Sequence, residues 1–129
     1  NPLSCAAGFF AIQAMEETGA AVKAGQAGDR ITRGLQEIIQ RRGLPFVAVN
    51  HGSICHLETA AAMLMDITNP KIFTEVTERK HIMEEMGAAF SAEGVISLAG
   101  SRLYTSMADT DVVIDDALER FDRVFANIE

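Results

Sequence analysis

PFVAVNHGSICHLE, residues 45–58, is the stretch on which the fold turns, because the hydrophobic period changes inside it. Phe46, Val47, Ala48 and Val49 are a β-rich run, and His51-Gly52-Ser53 is a turn signal. Ile54, Cys55, His56 and Leu57 continue as a second short strand, so 46–58 is expected to fold back as an antiparallel pair. A hairpin set among helical stretches calls for a layered structure in which helices cover a sheet.

Upstream the period is helical. Residues 2–24 read as one helix, with Leu3, Ala6, Ala7, Phe10, Ala14 and Ala21 recurring at three- and four-residue steps. Asn1 suits the N-cap and Pro2 the first turn, where its missing amide has no helical partner. A helix that starts at the first residue suggests a chain cut at an element boundary. Gly19 is a weak point, since glycine costs about 1 kcal/mol relative to alanine in a helix interior. A second helix is expected over 25–42, with Ala27, Ile31, Gly34, Leu35, Ile38 and Ile39 inward. Arg41 and Arg42 close it favourably against the helix dipole, and Gly43 and Pro45 stop it.

Downstream, residues 59–66 (TAAAMLMD) are helix-prone but short, and Asn69-Pro70 breaks the chain. A Met-rich, acidic helix is expected from Ile72 to Phe90, closed by Gly94. Val95–Leu98 reads as a strand, Ala99-Gly100-Ser101 as a turn and Arg102–Met107 as another strand. The last helix runs from Asp109 or Thr110 to Asn127, with Val113, Ala117, Phe121, Val124, Phe125 and Ile128 on its apolar stripe. Asp111, Asp115, Asp116, Glu119, Asp122 and Arg123 fall mostly on its solvent side. The order ααββ(α)αββα predicts an α+β fold: a small, largely antiparallel sheet with helices packed on one face.

The 129 residues fit a single domain, and 48% apolar with 22% charged side chains is an ordinary globular composition. Eighteen acidic against eleven basic side chains give a net charge of −7, which repels phosphate and argues against a nucleic-acid partner. No apolar run reaches the roughly 18 residues of a membrane span. Cys5 and Cys55 form neither a disulfide framework nor a CxxC pair, so a reducing, cytoplasmic setting is expected.

His51, Cys55 and His56 invite a metal reading, but Cys55 and His56 face opposite ways on a strand, and His81 stands alone in a helix. No metal site is expected. Cys5 could be a thiolate at a helix N-terminus, but it reads better as a small buried helix residue, and Ser4 likewise. Met63, Met65, Met83 and Met86 suit a core at helical spacing better than an adaptable groove. No glycine-rich phosphate loop is present. Arg102, after a Gly-Ser turn and at the head of a strand, is the side chain to single out. It either offers a planar fork to a carboxylate or is an ordinary exposed arginine.

The whole chain, in order, resembles a known family. NPLSCAAGFFAIQAMEETG is similar to the N-P-L-x-x-A-A-G helix of class III, fold-type I pyridoxal-phosphate aminotransferases, especially their glutamate-1-semialdehyde aminomutase branch. GDRITRGLQEIIQRRGLPFVAV resembles that family's next helix and strand, HGSICHLE its Gly-Ser strand, and MADTDVVIDDALERF its closing helix. The resemblance implies that residues 1–129 are the C-terminal small domain, with 1–24 the helix leading in from a large domain. It implies an enzyme that moves an amino group between an amino acid and a carbonyl compound with pyridoxal phosphate, as a homodimer.

The lysine that holds the cofactor would then lie before Asn1, because Lys23, Lys71 and Lys80 do not match its surroundings, and the chain alone would be inactive. Arg102-Leu103 falls where many class III aminotransferases place the arginine for the substrate carboxylate. The aminomutase branch does not reliably carry that arginine, Asp109 replaces its usual histidine, and 58–72 departs from its expected loop. The rival expectation is a stand-alone α+β binding or regulatory domain without catalysis.

Overall fold

The computed structural model of the chain describes residues 1–60, 68 and 71–128. Its elements are α1 (Pro2–Thr18), α2 (Ala20–Arg42), β1 (Phe46–His51), β2 (Ile54–Thr59), α3 (Ile72–Ala92), β3 (Arg102–Tyr104) and α4 (Asp111–Phe125). The strands form one antiparallel sheet in the order β1-β2-β3, so the fold is α+β as the period change at 45–58 requires. Residues 59–66, with Met63 and Met65, and the Asn69-Pro70 break lie almost wholly outside the described residues; within them Thr59 ends β2.

The hairpin register is Phe46 opposite Thr59 through His51 opposite Ile54, which puts Phe46, Ala48, Cys55, Leu57 and Thr59 on one face. All five are buried. The inward stripe of α2 (Ala27, Ile31, Leu35, Ile38 and Ile39) closes over them together with Leu103, Met83, Met86, Phe90, Ile114, Phe121 and Phe125. Burying each large side chain contributes roughly 1.5–3 kcal/mol. Phe90, Phe121 and Phe125 lock the centre, with the Phe90 and Phe121 rings edge to face at 4.7 Å.

Several expectations are corrected. The single helix over 2–24 is two: Gly19 adopts φ 63°, and its amide donates to the Glu16 and Met15 carbonyls, ending α1. A left-handed residue at a helix end is the usual work of glycine, and α2 then runs unbroken from 20 to 42. No residue of α1 is buried, so its Leu3, Phe10 and Ala14 face outward and Cys5 is exposed rather than buried. The expected strand over 95–98 is only one bridge between Leu98 and Arg102, and β3 stops at Tyr104 instead of Met107. In α4, Phe121 and Phe125 are buried as inferred, but at the start of the stripe Ile114 is buried and Val113 is half exposed.

The acidic side of α4 is more than solvated surface. Arg30 of α2 reaches Asp111 at 3.0 Å and Asp115 at 2.7 Å, and Arg41 and Arg42 meet Asp122 at 2.7 and 2.6 Å. Arg41 and Arg42 thus bind a neighbouring helix as well as facing their own dipole. Arg123 ties α4 to Glu93 just past the end of α3 at 2.9 Å.

Candidate functional site

Arg102 is the first residue of β3, and the turn before it is built to tight tolerance. Its amide donates to the Leu98 carbonyl at 3.1 Å and its carbonyl accepts from the Leu98 amide at 2.8 Å, closing a loop over 99–101. Ala99 and Gly100 there take φ 53° and 72°. A side chain at Gly100 would run into the Met83 carbonyl of α3, and Gly87 of the same helix lies against the Gly100 backbone. The core helix α3 therefore sets the position of the turn and, through it, the entry of Arg102 into the sheet.

Strand pairing decides which side chains surround Arg102. His56 is its cross-strand partner and Tyr104 is opposite Ile54. On the other flank of β2, Val49 is opposite His56 and His51 opposite Ile54. Arg102, Tyr104, Ile54, His56, Glu58, Val47, Val49 and His51 thus share the face turned away from the buried layer. Arg102, His51, Val49, Ile54 and Tyr104 are exposed, and His56 is half-buried.

Among the described residues, neither Arg102 nor His56 has a side-chain hydrogen bond or an ion pair. A cavity of about 370 Å³ opens nearby between β3, Val95-Ile96 and α4. Of its charged side chains, Asp116 and Arg120 pair at 2.7 Å and Asp109 accepts from the Ser106 amide at 2.6 Å, and Arg102 lies outside it. The chemistry available on the open face is anion recognition: a guanidinium fork with an imidazole beside it, flanked by apolar surface.

The remaining candidates separate. Cys55 lies on the buried face, its Sγ 3.6 Å from the Gly28 carbonyl oxygen, and burial pushes its thiol above the ordinary range, which leaves it unreactive. His51 and His56 are on the opposite face from Cys55. Among the described residues no group of three His, Cys, Asp or Glu side chains is placed to hold a metal ion. Met83 and Met86 are core residues. Ser4 and Cys5 sit on the exposed helix α1.

The lysines of the chain do not fit a covalent cofactor. A Schiff-base lysine needs a desolvated or charge-depressed amine, whereas Lys80 is exposed and paired with Glu84, and Lys23 and Lys71 are exposed. Sequence reading weighed His56 only as a metal ligand and missed it as a neighbour of Arg102. Its place beside Arg102 depends on the pairing of strands 46 residues apart in sequence, and no local pattern announces that register.

No protein-family model and no curated protein matches the chain. Among solved structures it is similar to an omega-transaminase from Sphaerobacter thermophilus, at 11% identity and a TM-score of 0.63 over 81% of this chain. The chain spans 23% of the length of that protein. No helix among the described residues is long and apolar enough to cross a membrane. The likeness is one of fold alone: among the described residues, an α+β arrangement of four helices and a three-stranded antiparallel sheet.

Proposed function

We propose that residues 1–129 act as the C-terminal small domain of a class III aminotransferase or glutamate-1-semialdehyde aminomutase-like enzyme, inactive by itself. The observation that carries this reading is the fold likeness to an omega-transaminase across most of this chain but under a quarter of that one. Leu3, Phe9, Phe10 and Ile12 of α1, all more than 60% exposed, add support. A helix apolar on all sides belongs in an interior, and a large domain of the same polypeptide would supply one.

In this reading the large domain, where 1–24 leads in, carries the lysine and binds pyridoxal phosphate. The cofactor supplies the electron sink for amino-group transfer. The part played by this chain is recognition: Arg102 receives the carboxylate of a small amino-acid substrate through two parallel charge-assisted hydrogen bonds. The active species is a cytoplasmic homodimer.

The test is the natural full-length gene product. It should bind pyridoxal phosphate and transaminate, and Arg102→Ala should raise KM strongly for carboxylate substrates while leaving carboxyl-free amines little changed. A KM unchanged across several amino acids removes Arg102 from the site. A gene product that consists of these residues alone and binds no cofactor supports the binding-domain alternative instead.

A further inference from the structure

We infer that the open face of the sheet holds a monocarboxylate between the His56 imidazole and the Arg102 guanidinium, with Val49, Ile54 and Tyr104 as the wall for its hydrocarbon part. The inference rests on the reading of Arg102 as a carboxylate ligand. It adds a second ligand and a substrate class, and it requires neither cofactor nor turnover.

The backbone bonds fix the geometry. Leu57 donates to the Ser101 carbonyl at 2.7 Å and Thr105 to the Ser53 carbonyl at 2.9 Å. Hydrogen-bonded and non-hydrogen-bonded pairs alternate along an antiparallel ladder, so His56–Arg102 and Ile54–Tyr104 are the close, non-hydrogen-bonded pairs. Side chains of such pairs stand near enough to act on one ligand.

The donors of Arg102 and of the His56 imidazole stand directly opposite one another, so an anion placed between them can accept from both. The planar fork of Arg102 fits both oxygens of a carboxylate, and an imidazole N–H can meet the lone pair left on its flank. The surroundings choose among anions. Glu58 is next to His56 on the same face, which disfavours a dianion such as phosphate. Val49, Ile54 and Tyr104 are 45%, 43% and 59% exposed, an uncovered apolar margin suited to an aryl or alkyl carboxylate.

The experiment is a benzoate titration of the isotope-labelled 129-residue chain, followed through the β2 and β3 amides and the His56 ring by NMR. Saturable shifts are expected in the rows of His56 and Ile54, with inorganic phosphate binding more weakly. Arg102→Gln should abolish the response. His56→Val, which keeps a strand-forming residue but no donor, should weaken binding roughly ten- to hundredfold, the effect of one hydrogen bond to a charged group. His56→Gln should recover part of that loss.

Unaltered benzoate binding by His56→Val overturns the inference and leaves the Arg102 reading standing. Unaltered binding by Arg102→Gln overturns both. Absent or diffuse shifts in the wild type also overturn the inference, while the KM test on the full-length gene product still decides the functional reading.

Discussion

At Gly100 the backbone takes φ 72°, and a β-carbon there would meet the Met83 carbonyl oxygen. Gly19 has a similar φ of 63° but open space around it, so the two positions separate strain from collision. Gly19→Ala should cost only the left-handed penalty, about 1–2 kcal/mol. Gly100→Ala should cost more, about 2–5 kcal/mol, because overlap with α3 adds to that strain. Urea unfolding of both variants measures the difference, and equal losses would mean that α3 does not brace the turn. The same residues show what the sequence could tell. A Gly-Ser turn before an Arg-headed strand marked Arg102, since turn chemistry is local. The dependence of that turn on Met83 and Gly87 is a tertiary contact and left no local trace.

Between elements, the seam of α2 and α4 is the feature with a pH signature. The Asp122 carboxyl is held below the usual carboxylate range, first by the Arg42 hydrogen bond and then by Arg41, with burial opposing. A depressed carboxylate stabilises the fold fully above its unfolded value, near 3.8, and loses that contribution as pH falls through its lower folded value. Asp122→Asn should therefore reduce stability near neutral pH, by under about 1 kcal/mol for so accessible a group. The gap to wild type should close as pH falls below that unfolded value. Thermal melts across the acid range check this, and a gap independent of pH would assign the loss to packing.

Helix stripes were legible where an element packs on one side only. For α2, Ala27, Ile31, Leu35, Ile38 and Ile39 are all inward as their spacing indicates. The spacing misled for α1 because its apolar residues are not confined to one face, so a stripe can be drawn through them that the fold does not bury. Val95–Leu98 has strand composition, but only Leu98 pairs with a strand residue, the Val95 amide donating instead to the Phe90 carbonyl of α3, and composition does not supply a strand partner.

Over the whole molecule the core and the exposed helix make opposite demands. Phe90, Phe121 and Phe125 are 0–1% exposed and touch one another, and removal of one ring leaves a cavity that neighbours on α3 and α4 must absorb. Phe121→Ala should lose about 3–5 kcal/mol, a large part of the total stability of a domain this size. Helix α1 buries no residue, although Leu3, Phe9, Phe10, Ile12 and Met15 are among its side chains. Deletion of residues 1–18 should then leave the unfolding free energy within about 0.5 kcal/mol of the full chain, because almost no apolar area is newly exposed. The shortened chain should also associate less in solution, since a contiguous apolar surface of this kind drives association. Equilibrium unfolding and sedimentation of the two chains test both expectations. A fall in unfolding free energy comparable with Phe121→Ala would make α1 part of the folded core and withdraw the argument that its apolar surface awaits a large domain.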